Sequence, residues 1–220
     1  MSTQTSKDVG CPHCGAAVKT EMWPGINAQD SPDLRGRLLD ETLFDWTCPE
    51  CGYRARLLYP CLYHDRDRKF MVYLAPSGNS RELDSVDISG KFSKLSSVKK
   101  RVVTTMPGLK EKILIFESGL SDYAVELVKF ALADVMNEKY GKRAENCYFC
   151  CADEAEDKIG FSFLFEGESE PVRRSTRLDA YEKSLEIVKS SEIPDQDPGF
   201  LTVDSGTARR ILDEYREHRE

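Results

Sequence analysis

Cys11-Pro12-His13-Cys14-Gly15 and Cys48-Pro49-Glu50-Cys51-Gly52 are one pentapeptide pattern written twice. Each places two thiols two residues apart in a tight turn. Proline after the first cysteine holds φ at about −65°, and glycine after the second admits the left-handed backbone that turns the chain away. Backbone N–H groups of such a turn can point at the sulfurs and offset thiolate charge. Two such turns facing each other supply the tetrahedral four-cysteine set that zinc takes. One zinc ion per chain is therefore expected on Cys11, Cys14, Cys48 and Cys51. Iron with four thiolates is the competing reading, because the same pair of turns suits it and geometry alone does not separate the two. With all four positions filled by protein sulfur, none is left for water or substrate, so the expected metal is structural and contributes to folding.

Residues 15–47 between the turns exceed what a minimal ribbon needs. Val18, Thr20 and Met22 alternate with charged residues from Ala16 to Trp23 and predict a half-exposed strand. Ser31-Pro32-Asp33 predicts a helix start, Ser as N-cap and Pro at the first helical position, with Leu34, Leu38 and Leu39 on its apolar side and an end near Asp40. Leu43 to Thr47 leads into the second turn as a strand and Tyr53 to Tyr59 leads out. Phe70 to Leu74 follows the Asp65 to Lys69 turn as a third strand. The expectation is a zinc-ribbon-like β module over residues 1–85 carrying one short helix.

The paired Cys-Pro-x-Cys motifs come with Ile26-Asn27, Asp33-Leu34, Leu43-Phe44, Tyr59-Pro60, Leu62-Tyr63-His64-Asp65 and Phe70-Met71-Val72-Tyr73-Leu74. Together these resemble the bacterial CpXC domain family, over about Val9 to Lys139, including Leu109 to Leu120 and the helix after it. The resemblance implies little about activity, since the family is defined by its cysteine pairs and has none established. Cys61 stands where the family pattern tolerates several residues.

In 220 residues, 40% hydrophobic and 31% charged, there is apolar material enough for a core. The net charge of −7 is spread along the chain, and neither half has the basic excess that drives phosphate binding, so nucleic acid is not the expected partner. No apolar stretch approaches the roughly 20 residues of a membrane span, and Met1 to Gly10 is polar without a signal-peptide core. A reducing cytoplasm is the expected compartment, with the eight cysteines as metal ligands or buried thiols rather than a disulfide framework.

Tyr63-His64-Asp65 puts an imidazole beside a carboxylate, which suggests an acid–base pair or a ligand-binding corner. Against this, neighbours on a strand point to different faces, and a turn in which Asp65 bonds backbone while His64 is solvated or packs on the sheet accounts for the same residues. Cys61 and His64 have the spacing of half a metal site, without a matching partner pair nearby. His13 reads as an exposed turn residue. A redox role for Cys11 and Cys14 fits poorly, because a redox pair wants its first thiol at a helix N-terminus and the flanks here read as strand.

Asn79 to Ser97, rich in serine, predicts a linker. A C-terminal α/β domain over 98–220 follows. Lys99-Lys100-Arg101 reads as the solvated end of an edge strand. Leu109, Ile113 and Phe116 mark a helix stopped by Gly119. Ser121 caps the next, with Ala124, Val128, Ala131, Leu132 and Val135 as its buried stripe until Gly141. Cys147 to Ala152 and Ile159 to Phe165 form a β-hairpin with Phe161, Phe163 and Phe165 in the core. Cys147 and Cys150 face opposite sides of their strand, so Cys61, Cys147, Cys150 and Cys151 are expected as metal-free, small core hydrophobes. Pro171 to Leu178 suggests a further strand. Two helices follow, capped by Asp179 and Asp204, with a loop at Pro194 to Gly199 between them.

The expected whole is α+β: a zinc-ribbon-like β module, then an α/β portion with a helical hairpin and a β-hairpin. The leading functional expectation is a zinc-stabilised interaction or regulatory module with a protein partner. A nucleic-acid or ribosome-associated ribbon, and an enzyme with a cleft near His64, are the alternatives.

Overall fold

The computed structural model describes residues 1–76, 97–141, 143–191, 193 and 199–217. The fold is α+β, and the chain divides into two compact units, Met1–Lys110 with Gln196–Phe200 and Glu111–Asp195 with Leu201–Glu220. The expected linker lies almost wholly outside the described residues, as does most of the expected loop from Pro194.

The first unit is built on a five-stranded mixed sheet. Its strands are β1 (Thr3–Gly10), β2 (Ala17–Asn27), β5 (Cys61–Asp65), β6 (Phe70–Leu74) and β7 (Lys99–Val103), in the order β1-β2-β5-β6-β7. β1/β2 and β5/β6 are antiparallel, β2/β5 and β6/β7 parallel. β5 and β6 pair Cys61 with Leu74, Tyr63 with Val72 and Asp65 with Phe70, and all six are buried. That single face, period two along both strands, is the core of the unit. β1 has no such alternation. Its residues are nearly all exposed, and it is held by backbone pairing to β2. The β1–β2 register slips between Thr3 and Thr5, opposite Trp23 and Pro24. Proline has no N–H to give the ladder, and a bulge is where a strand tolerates it.

α1 (Pro32–Leu39) begins at Ser31 and Pro32 as the sequence predicts, with Leu34 and Leu38 buried. The Ser31 hydroxyl makes no capping bond; it accepts from Ser2 Oγ at 2.8 Å. β3 (Asp45–Thr47) and β4 (Arg54–Arg56) form a separate antiparallel pair. β7 is an edge strand whose Lys99 is exposed as expected, but Lys100 and Arg101 are buried, Arg101 at 1% exposure. The buried Arg101 guanidinium donates to the Lys100 carbonyl at 2.9 Å, a partner that a charge run in a sequence does not reveal.

α2 (Met106–Glu117) starts in the first unit and ends in the second. It closes with Gly119 at φ +70° and a Leu120 N–H bond to the Ile115 carbonyl. In the second unit α3 (Asp122–Tyr140) is followed by a three-stranded antiparallel sheet. Its strands, β8 (Ala144–Asp153), β9 (Lys158–Phe165) and β10 (Val172–Arg177), lie in the order β10-β9-β8. Phe149, Ile159, Phe161, Phe163 and Phe165 are buried along one face. α4 (Leu178–Ser190) and α5 (Ser205–Glu217) pack on α3 around Leu127, Ala208 and Ile211.

The Asp204 carboxylate caps α5, accepting the Thr207 N–H at 3.0 Å. Asp179, expected as a cap, instead lies in the first turn of α4, whose N-cap is Arg177. The buried stripe of α3 begins as expected at Ala124 and Val128, but Ala131 is exposed and Val135 is 56% exposed. The line drifts through Leu132 to buried Met136 and to Tyr140, whose ring lies against Phe165 at 4.8 Å. A 3.6-residue turn carries the inward face forward along 19 residues, so a stripe extrapolated from the first turns misses the last.

Candidate metal centre

Each cysteine pair is the tip of a hairpin. Cys11 to Ala16 joins β1 to β2, and Cys48 to Tyr53 joins β3 to β4. The two turns are built alike. Cys11 N–H bonds the Ala16 carbonyl at 2.8 Å and Gly15 N–H the Cys11 carbonyl at 2.9 Å. Cys48 N–H to Tyr53 and Gly52 N–H to Cys48 repeat these at 2.8 and 2.9 Å. Gly15 and Gly52 have φ of +76° and +73°, the left-handed backbone the motif predicts. Nothing else stands near either glycine, so only backbone conformation demands it.

The hairpin tips bring the four sulfurs together, all within 4.8 Å of one another. Cys11 Sγ lies 3.7 Å from Cys51 Sγ, and Cys14 Sγ 3.8 Å from Cys48 Sγ. A tetrahedron with metal–sulfur bonds of ~2.3 Å has edges of about 3.8 Å. The first cysteine of each pair is buried and the second exposed. Trp46 Nε1–H donates to Thr20 Oγ1 at 3.1 Å and ties β3 to β2. The His13 and Tyr53 rings stack across the two turns at 5.7 Å. His13 is thus exposed, as expected, but not idle. The clamp and the stack were not anticipated, although a histidine inside one turn and a tyrosine just after the other are their trace in the sequence.

The thiols are electrostatically divided. Burial would raise Cys11, but backbone N–H groups of Cys14 and His13 and the thiols of Cys14 and Cys48 bring it down to about 6. Cys51 accepts the Tyr53 N–H, which lowers it, yet burial and its three thiol neighbours push it up to about 12; Cys14 is also raised. Once one thiol ionises among four, the others resist, since like charges at such distances disfavour each other. A divalent cation at the centre removes that conflict and lets all four be thiolates. The donor set, its spacing and its N–H donors therefore fit a four-thiolate metal ion.

Tyr63, His64 and Asp65 do not converge. On β5, Tyr63 and Asp65 are buried, Tyr63 stacking on Phe70 at 5.9 Å, while His64 between them is half-buried. Asp65 accepts from Gln29 Nε2 at 2.7 Å, from Arg68 N–H at 2.9 Å and from the Arg68 guanidinium at 2.9 Å. His64 Nε2 lies 3.0 Å from Asn27 Nδ2. Asp65 bonding backbone in a turn is thus what the structure contains.

Of the remaining cysteines, Cys61 is buried with its thiol on the Trp23 carbonyl at 3.2 Å, and burial pushes it up to about 12. Cys147 and Cys150 are half-buried. Cys151 is exposed, contrary to the expectation of a core thiol. Among the described residues, no other group of three or more metal-binding side chains comes together. No described helix is long and apolar enough to cross a membrane.

No curated protein and no solved structure matches the chain at a significant level. Residues 9–129 match the family described as CpXC protein, a span that takes in both hairpin tips, β5 to β7, α2 and the start of α3. The chain belongs to the CpXC family.

Proposed function

We propose that the chain is a zinc-stabilised interaction module, with one structural zinc ion on Cys11, Cys14, Cys48 and Cys51. The observation that carries this is the cluster of four sulfurs, all within 4.8 Å of one another, in which two of the six separations, 3.7 and 3.8 Å, match the edges of a four-thiolate zinc site. The ion would fasten the tip of the β1–β2 hairpin to that of β3–β4, in the manner of a zinc ribbon. Structural zinc in small peptides is worth about 10 to 16 kcal/mol in apparent affinity at neutral pH, and such binding energy is folding energy. Iron has the same geometry available. Elemental analysis of the purified protein is expected to give one zinc per chain, and a coloured iron protein or no metal would overturn the reading.

The closed site offers no position at which a substrate could bind metal, which favours a role in recognition over catalysis. The partner we propose is a protein, because a net charge of −7 opposes the phosphate backbone of nucleic acids. The setting we propose is the cytoplasm, where thiols remain reduced and available to metal.

A further inference from the structure

Alternation along a strand sends neighbouring side chains to opposite faces. On β8 that rule is suspended at two register shifts, between Ala144 and Asn146 and between Phe149 and Cys151, and the second brings two thiols to one face. On β8, Phe149 stands opposite Phe161 and Ala152 opposite Ile159, while Cys151 stands opposite Gly160; the register shifts between Phe149 and Cys151. Phe161 and Ile159 are two apart on β9 and both buried, so they share the core face. Their partners Phe149 and Ala152 share it too, although three residues separate them. The two residues between, Cys150 and Cys151, therefore both take the other face, side by side at a β-bulge. Cys150 is half-buried and Cys151 exposed. Gly160 completes the arrangement: a Cβ there would come within 2.9 Å of Cys151 Sγ, so the missing side chain leaves the room the sulfur occupies. Cys147, opposite Phe163, is on the core face and does not join them.

We propose that Cys150 and Cys151 form a vicinal dithiol that binds a soft, thiophilic centre as a two-sulfur chelate on the face of the β8–β9–β10 sheet away from the phenylalanines. Soft thiolates select soft ions, and two on one face hold such a centre where one would release it. A disulfide between the two is disfavoured. Adjacent Cα atoms are about 3.8 Å apart, short of the roughly 4.4 Å at which disulfide geometry begins. A bridging atom larger than a bond keeps the sulfurs apart and closes the ring without that compression. With a trivalent organoarsenic oxide as probe, two As–S bonds form, two S–H bonds break, and the oxide oxygen leaves as water with both protons. Arsenic stays trivalent and no electron is transferred.

The test is intact-mass measurement of the reduced, zinc-equilibrated full chain after treatment with phenylarsine oxide and a large excess of glutathione. The monothiol strips single-sulfur adducts and leaves chelates. Cys150→Ser and Cys151→Ser are each expected to retain one phenylarsenic group fewer than the wild type, and Cys147→Ser the same number as the wild type. An unchanged count in either of the first two variants, or no adduct in the wild type, overturns the proposal. Gly160→Ala keeps both thiols and displaces Cys151 Sγ. It is expected to shed the group at a glutathione concentration at least tenfold below that needed for the wild type, and wild-type retention would remove the bulge geometry as the basis of the site.

Discussion

Asn27 is bound at both ends of its amide, and that sets the state of His64. Its Oδ1 accepts the N–H groups of Gln29 and Asp30 at 2.9 and 3.1 Å, so Nδ2 must face His64 Nε2. An amide donor there requires an unprotonated Nε2, and protonation sets N–H against N–H. Burial, with the positive charges of the N-terminal ammonium and of Arg66, holds the imidazole below its ordinary range against the opposing pull of Asp30 and Asp65. Because the folded value is depressed, the stability this contact provides is present above the unfolded value of about 6.5 and is lost as pH falls through the folded one. An NMR titration of His64 is expected to give a midpoint below 6.5, and Asn27→Asp to raise it by supplying a carboxylate in place of the amide. A wild-type midpoint at or above 6.5 would contradict the assignment. Asp65 follows the same sign at lower pH. Burial raises it, but the Arg68 N–H, the Gln29 amide and the Arg68 guanidinium together hold it below the carboxylate range. Asp65→Ala is expected to cost about 2 kcal/mol in urea unfolding at pH 7, since three donors lose an ionised acceptor while the half-exposed Arg68 recovers solvent.

Between elements, the densest buried charge among the described residues lies where α2, α3 and β8 meet. Lys112 reaches Asp122 and Glu126 at 3.2 and 3.3 Å, and Lys129 reaches Glu111 and Glu126 at 2.9 and 3.0 Å. Glu111 also accepts the Phe149 N–H of edge strand β8 at 2.6 Å, closing a ladder position that has no further strand beside it. Removing one partner strands buried charge, so Lys112→Ala is expected to cost about 3 to 5 kcal/mol in denaturant unfolding, and less than 1 kcal/mol would show the network to be solvated. None of this was legible from the sequence, because glutamates and lysines at helical spacing look like a solvated face until the strand that covers them is known. What was legible had local causes. The hairpin tips, α1 and the Gly119 and Gly141 stops follow from proline, glycine and serine chemistry, and β9 from its alternating phenylalanines. β1 escaped because Thr3 to Gly10 is polar on both faces and is a strand only by pairing with β2. The faces of Cys150 and Cys151 depend on a bulge, which periodicity cannot show.

For the molecule as a whole, the four-cysteine centre lies entirely within the first unit, where it brings the tip of the small β3–β4 pair to the tip of the β1–β2 hairpin. The Trp46–Thr20 bond and the His13–Tyr53 ring stack are two further ties between them. The second unit has its own core of phenylalanines and packed helices and needs nothing from the sulfurs. Metal loss should therefore act on one unit, not on the chain uniformly. Without a cation, the raised thiols of Cys14 and Cys51 sit beside Cys11, which favours ionisation, and the hairpin tips lose the ion proposed to join them. Chelation or Cys48→Ser is expected to raise amide hydrogen exchange across residues 11–56, by at least tenfold at Cys48 to Tyr53, while protection in 147–165 stays within twofold. Uniform exchange across both units would mean that the chain unfolds as one body. Unchanged protection at the hairpin tips would mean that the cysteines fold the module without a metal, and the structural role proposed for zinc would fail.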